Sequence, residues 1–273
     1  MKSEELMELF SLKNKTAIVT GALGLIGKEH CKALSEAGAN VVVADLDEQE
    51  AIEFAKSLDS GSFGIFLNVT NKASVQNAKE KILEKFGHID VLVNNAAIND
   101  MFENPKAATE QSKFENYPLE LWQKSIDVNL TGVFLCSQVF GFEMAKQKKG
   151  SIINIASTYG IVAPDQTLYQ KEDGTQDFYK PPAYSATKGA IIMFTKYLAS
   201  YWGKNGVRVN TLTPGGVENS QDEFFIKKYS AKTLLGRMAK PNDYKGALIF
   251  LASDASEYMT GANLIIDGGW TTI

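Results

Sequence analysis

Short apolar runs and longer amphipathic stretches alternate along this chain from one end to the other. The runs fall at residues 16–19, 41–44, 64–67, 91–93, 152–155, 207–210 and 264–266, most of them rich in valine and isoleucine. Several are apolar at successive positions, the pattern of strands covered on both faces. The stretches between them have recognisable ends: residues 25–37 stop at Gly38 and residues 71–86 at Gly87, each a natural C-cap. Longer helices are predicted over about 119–146 and 184–202. Strand and helix in alternation predict an α/β fold, a doubly wound parallel β-sheet of about seven strands with helices on both faces.

There is no internal repeat, low-complexity tract or linker, so residues 1–273 are read as a single domain. Two stretches break the alternation. Residues 99–118 are polar and without periodicity, and residues 164–182 carry Asp165, Tyr169, Lys171, Glu172, Asp173, Asp177, Phe178, Tyr179 and Lys180 between prolines. Both are predicted at the C-terminal edge of the sheet, where open α/β folds bind ligands. Surface decoration or an oligomer contact is an equally open reading of them.

Composition narrows the class without naming a chemistry. Apolar residues make up 44% and charged residues 22%, as in an ordinary globular protein, and a net charge of −4 provides no basic field for nucleic acid or anionic membrane. Cys31 and Cys136, both in apolar helical stretches, point to a reducing compartment, with one disulfide left open. No apolar core of a signal peptide follows Met1, and no run approaches the ~18 apolar residues of a membrane span, so a cytoplasmic protein is expected. His30 and His88 stand apart from cysteines and carboxylates at ligand spacing, and no metal is expected.

The first strand runs into Thr20-Gly21-Ala22-Leu23-Gly24-Leu25-Ile26-Gly27 and then a helix. Glycines there permit a tight turn and let backbone N–H groups approach a pyrophosphate at the positive helix end. An ordinary glycine-rich turn is the bland alternative, and the flanking strand and helix weigh against it. Gly21, Leu23, Gly24, Leu25 and Ile26 are therefore candidate cofactor residues. Asp45 follows the second strand, 24 residues after Gly21, where a carboxylate accepts both adenosine-ribose hydroxyls and repels a 2′-phosphate. No Lys or Arg lies at positions 44–47 or in the turn, so the expected cofactor is NAD.

Tyr184 and Lys188 stand at i and i+4 and share a helix face. A phenol with a pKa near 10 is a poor base at neutral pH. An ammonium about 4 Å away, at an effective dielectric of 20, favours phenolate by roughly 4 kcal/mol, about three pKa units. Such pairs are common by chance, and two further residues lift this one above that level. Ser157 ends the fifth strand, where its hydroxyl can polarise a carbonyl oxygen. Asn129 interrupts an apolar helix beside Gly132, which suggests a local distortion able to hold a water. A mid-helix asparagine is more often a tolerated polar position.

With these residues assembled, the chain resembles the short-chain dehydrogenase/reductase family, from about Leu12 to Trp270. The matching positions are the Thr20-Gly21 turn, Asn94-Asn95-Ala96-Ala97, Asn129, Ser157, Tyr184-Ser185-Ala186-Thr187-Lys188, Pro214-Gly215-Gly216-Val217 and Asp267-Gly268-Gly269. The resemblance implies a Rossmann fold with Tyr184 exchanging a proton with the substrate oxygen and Ser157 binding that oxygen. Lys188 would lower the tyrosine pKa and hold the nicotinamide ribose, and Asn129 would anchor a relay water. Asn95 would lie along the cofactor, the Val217 backbone would bind its carboxamide, and Asn68 with Val69 would meet adenine. The family also implies a homo-oligomer, a tetramer or dimer, through the two long helices, where Phe134, Phe140, Phe142, Phe194 and Tyr197 could serve or could equally be core.

Three positions depart from the family pattern. The glycines are spaced G-x-x-G-x-x-G, with Leu25 where a glycine is usual. Ser157 and Tyr184 are 27 apart, so residues 164–182 must loop out if the two are to meet. Asn219 replaces the Thr or Ser that usually follows Pro-Gly-x-Val. The expected activity is reversible NAD-linked oxidation of a secondary alcohol to a ketone, on a sugar or amino-sugar derivative that could be phosphorylated. The sugar expectation leans on the insertion, on Lys180, and on Lys227, Lys228, Lys232 and Arg237. The alternatives are a 3-oxoacyl or polyol dehydrogenase of the same family, or a catalytically silent NAD-binding sensor.

Overall fold

Seven strands among the described residues carry the architecture: β1 (Thr16–Thr20), β2 (Asn40–Asp45), β3 (Phe63–Phe66), β4 (Val91–Asn94), β5 (Gly150–Ile155), β6 (Val207–Pro214) and β7 (Asn263–Ile266). The structure is a computed structural model that describes residues 3–58, 61–99 and 105–273, with residues 3 and 105–107 by backbone alone. All strand pairs are parallel, in the order β3-β2-β1-β4-β5-β6-β7. The chain winds outward from β1 to β3, then crosses back to place β4 on the other side of β1. That reversal opens a crevice at the C-terminal ends of β1 and β4, the usual ligand position in such a sheet.

The helices are α1 (Ser3–Leu9), α2 (Leu25–Glu36), α3 (Glu48–Lys56), α4 (Lys72–Phe86), α5 (Pro105–Ser112), α6 (Leu119–Ile126), α7 (Gly132–Gln147), α8 (Pro182–Trp202), α9 (Glu223–Lys232) and α10 (Lys245–Ala252). Strand side chains alternate between the two faces, so successive apolar residues feed two separate cores. Ala17, Val19, Val41, Val43, Val91 and Val93 pack with α2, α3 and α10 on one face. Ile18, Val42, Ala44, Leu92 and Ile152 pack with α4, α7 and α8 on the other. This is why the strands read as continuous apolar runs.

The structure redraws some predicted elements. β6 continues to Pro214 because Thr211 and Thr213 pair with β7, and their polar side chains hide that part of the strand. The helix expected over about 119–146 is two α-helices joined by a π-turn, Asp127–Thr131. Its 119–147 span is apolar enough to pass for a membrane helix, but half of the apolar window is buried and Cys136, Phe140 and Met144 pack on the sheet, so it is a core helix. The stretch 99–118, expected to be irregular, forms α5 and a 3₁₀ turn (Phe114–Asn116); its residues 100–104 lie outside the described residues. Nothing periodic marks α5 because the other insertion holds it: Thr109 Oγ1 donates to the Asp177 carbonyl (3.0 Å), and the Tyr179 N–H donates to Ser112 Oγ (3.0 Å).

One core position makes stability depend on pH. His30 on α2 is 1% exposed, and among the described residues neither ring nitrogen has a hydrogen-bond partner. Burial pushes its pKa down to about 4 from an ordinary 6.5, with Glu29 pulling weakly the other way. The unfolded chain therefore binds the extra proton between these values. The stabilisation is complete above pH 6.5 and is lost as pH falls toward 4, reaching about 2 kcal/mol at pH 5. Urea unfolding at pH 7 and pH 5 should show wild type losing about that much more than His30→Leu. Equal losses in the two proteins would remove His30 from the acid response.

Candidate active site

The glycine turn is built by close backbone packing. Gly21 has φ +60°, and a Cβ there would lie 2.7 Å from Ala96 Cα, so the position requires glycine both for conformation and for space. Asn95 pins the turn to the end of β4: its Nδ2 donates to the carbonyls of Thr20 (3.0 Å) and Gly21 (2.9 Å). Thr20 Oγ1 accepts the N–H groups of Asn95 and Ala96, each at 3.1 Å. From β2, Asp45 Oδ2 accepts the Leu23 N–H at 2.9 Å, and Oδ1 accepts the Leu46 N–H at 2.7 Å. The carboxylate thus braces the turn, lines the cavity and keeps further acceptor capacity on each oxygen.

A buried polar chain sets the strands that carry the chemistry. Asn94 Nδ2 donates to Asn154 Oδ1 (2.8 Å) and to Ser137 Oγ (3.0 Å), and Asn154 Nδ2 donates to Thr195 Oγ1 (2.9 Å). Thr211 Oγ1 completes it by donating to Thr195 at 2.8 Å. β4, β5, β6, α7 and α8 are thereby tied in one register, and α8 carries both Tyr184 and Lys188. Polar residues inside apolar strand runs are the only sequence signal of this polar chain.

Ser157 and Tyr184 do meet. Their side chains line one cavity, and the Ser157 hydroxyl pulls the Tyr184 pKa down, although 164–182 lies between them in sequence. The insertion folds outward as a self-bonded loop. Gln166 grips Lys180 from both sides, accepting its N–H (2.9 Å) and donating to its carbonyl (3.3 Å). Gln176 Nε2 donates to the carbonyls of Gln166 and Phe178, and Lys171 pairs with Asp177. A 3₁₀ turn, Thr158–Gly160, follows Ser157 and rests on α8; a Cβ on Gly160 would lie 2.7 Å from the Lys188 carbonyl, so only glycine permits that approach.

Electrostatics at the pair differ from the simple Coulomb expectation. The Lys188 ammonium donates to the Ile155 carbonyl at 2.7 Å and lies 5.8 Å from the Tyr184 ring centre. Burial pushes Lys188 down to about 8 and pushes the Tyr184 phenol up, opposed by the Ser157 hydroxyl. Desolvation outweighs the lysine's field here because the ammonium is anchored to a backbone oxygen instead of the phenol. A second cation stands closer: Lys180 Nζ is 4.5 Å from the Tyr184 ring centre.

Asn129 is 1% exposed and sits in the π-turn, so the distortion expected there is present. Its amide is committed to the backbone of Ile98, accepting its N–H (2.7 Å) and donating to its carbonyl (2.9 Å). A cavity of 710 Å³ collects Gly21, Leu23, Gly24, Leu25, Ile26, Asp45, Asn95, Ser157, Tyr184, Lys188 and Val217. Asn129, Asn68 and Val69 do not line it. Asn68 Oδ1 accepts from the Thr70 N–H and hydroxyl, and Val69 packs in the core against Gly132. Asn219 lines it, with its N–H donated to Gln221 Oε1 at 2.6 Å.

The expected basic group is corrected. Lys228 Nζ donates to the carbonyls of Thr167 (2.7 Å) and Gln170 (2.6 Å), Lys232 pairs with Asp165 (2.5 Å), and Arg237 pairs with Asp243 (2.6 Å). None of them, nor Lys227, lines the cavity. Lys228 and Lys232 strap α9 to the insertion. The wall beside Tyr184 is instead aromatic: Tyr159, Tyr169, Phe225 and Tyr229, with the Tyr159 and Tyr169 hydroxyls 3.2 Å apart.

The family model described as enoyl-(acyl carrier protein) reductase matches residues 21–271. A D-threitol dehydrogenase of Mycolicibacterium smegmatis is 35% identical over 270 residues, covering 96% of this chain and 95% of that protein. An NAD-dependent glycerol dehydrogenase of Listeria innocua is 33% identical, covering 96% of each. Among solved structures, a gluconate 5-dehydrogenase of Burkholderia cenocepacia in complex with NADP and tartrate superposes with a TM-score of 0.85 at 29% identity, covering 98% of this chain and 99% of that one. The chain belongs to the short-chain dehydrogenase/reductase family, with the Rossmann architecture. It is an oxidoreductase of alcohols and ketones, in a family that binds a nicotinamide cofactor.

Proposed function

We propose that the protein oxidises a secondary alcohol to a ketone, reversibly, with NAD, on a small polyhydroxylated substrate of the polyol or sugar type. The observation that carries this reading is that Ser157, Tyr184 and Lys188 line one cavity with the glycine turn. A cavity of 710 Å³ is in the range of cofactor and substrate sites. Gly21, Leu23, Gly24, Leu25, Ile26 and Asn95 would hold the pyrophosphate side, Asp45 the adenosine ribose, and Lys188 the nicotinamide ribose. The Val217 N–H, which takes no part in the bridge to Ala239, would hold the carboxamide. A nicotinamide cofactor bound there supplies the hydride acceptor.

The chain's own groups then handle the proton. Ser157 Oγ orients the substrate oxygen, and Tyr184 Oη takes the hydroxyl proton or returns it. Asn129, clamped to Ile98, keeps the π-turn in shape for a proton path toward Lys188. The threitol, glycerol and gluconate activities of relatives support a polyol or sugar-acid substrate. A phosphorylated one loses support with Lys228, Lys232 and Arg237 engaged elsewhere. The test is NADH formation over a panel of polyols, sugar acids, sugar phosphates and 3-hydroxyacyl thioesters. Binding of NAD with no turnover of any of these would favour a cofactor sensor.

Oligomerisation belongs to the same reading. Phe140 is core, but Phe134, Phe142, Tyr197 and Tyr201 are exposed on α7 and α8. The Tyr197 ring stacks between Phe194 and Tyr201 beside a groove of 1080 Å³. Such a stripe is a self-complementary face for a second copy. Tyr197→Glu is expected to lower the mass measured by light scattering to that of a smaller species, and an unchanged mass would move the interface elsewhere.

A further inference from the structure

The insertion does more than line the cleft. Gln166 fixes the backbone of Lys180 on both sides, two residues before α8 begins. From that point the side chain reaches into the cavity, with Nζ 4.5 Å from the Tyr184 ring centre, 5.8 Å from the Tyr159 ring centre and 2.8 Å from Asn99 Oδ1. The Lys188 ammonium, one helical turn beyond Tyr184, is 5.8 Å from the same ring and donates to the Ile155 carbonyl. Two ammonium groups therefore flank Tyr184, and the nearer one comes from the insertion.

An ammonium over an aromatic face is attracted by the ring's π density. Loss of the phenolic proton puts a full negative charge on the ring system, and the attraction grows. The other ionisable groups around Tyr184 do not oppose this effect. Tyr159, on the 3₁₀ turn after β5, and Tyr169, on the insertion, are both held neutral by burial. Asp45, beneath the glycine turn, is the one carboxylate lining the cavity among the described residues. Asp165 on the insertion is paired with Lys232.

We propose that Lys180 is a positioning residue for proton transfer: it holds the Tyr184 ring and favours its phenolate, supplementing Lys188. The proposal rests on Tyr184 being the proton-transfer group. The insertion thus delivers part of the acid–base machinery along with a wall of the substrate site.

The experiment compares pH profiles of kcat/KM for alcohol oxidation in wild type, Lys180→Gln, Lys180→Arg and Tyr184→Phe, with NAD binding followed by fluorescence. Glutamine keeps a donor for Asn99 and removes the charge. Its rising limb is expected to move up by about one pH unit, while arginine leaves the limb in place. The ultraviolet tyrosinate difference between each Lys180 variant and its Tyr184→Phe double mutant reads the same shift without turnover. A Lys180→Gln profile whose rising limb stays at the wild-type pH, lowered only by a raised KM, would overturn the proposal and leave Lys180 a plain substrate contact. So would equal shifts in the glutamine and arginine variants. Wild-type turnover in Tyr184→Phe would instead sink the underlying reading of Tyr184, whatever Lys180 does.

Discussion

Tyr184→Phe is expected to lower kcat by about 10³-fold while leaving NADH binding nearly unchanged. The ring keeps its packing against Tyr159 and Tyr169, and only the hydroxyl on the Ser157 side of the cavity is lost. Losing a single hydroxyl contact costs about 1 kcal/mol, too little to unfold the protein. What disappears is the group proposed to take the alcohol proton as hydride leaves. The same assignment sets the sign of the pH dependence. Burial holds Tyr184 neutral, so oxidation, which needs the phenolate, should speed up as pH rises through and above neutrality. Ketone reduction needs the phenol and should fall over the same range. Stopped-flow NADH absorbance in both directions checks this, and a variant within threefold of wild type would refute the role of Tyr184.

The second large effect is expected at Asp45. Its carboxylate braces Leu23 and lines the cavity, and on the proposed function it faces the adenosine ribose, where NADP would meet its charge with a 2′-phosphate. Charged hydrogen bonds to the ribose hydroxyls are worth ~1.5–3 kcal/mol, about 10- to 100-fold in kcat/KM. Asp45→Asn keeps an acceptor for the Leu23 N–H and removes the repulsion. The ratio of kcat/KM for NADP to that for NAD should therefore rise about 100-fold. Wild type that used the two cofactors equally well would show that Asp45 does not select between them.

Much of this is legible in the sequence because it is local. The positions of all seven strands, the turn from Gly21 to Gly27 and the i, i+4 pairing of Tyr184 with Lys188 follow from side-chain period and backbone sterics. β6 was read short because Thr211 and Thr213 look like loop residues until β7 is beside them. α5 was missed because its support, from Asp177 and Tyr179, comes from more than sixty residues away. Lys228, Lys232 and Arg237 read as anion binders only while their partners were unknown.

Taken alone, the sequence determined the order of the strands, four of the helices, the glycine turn, and which side chains carry hydroxyl, amine and carboxylate. Those depend on residue type and on neighbours a few positions away. Only the tertiary structure decided that 164–182 loops out so that Ser157 reaches Tyr184. It also decided that Lys188 bonds to a backbone carbonyl and that Lys180 comes nearer the tyrosine ring. Distance in space, not separation along the chain, sets both the strength of a charge on a phenol and the cost of burying it.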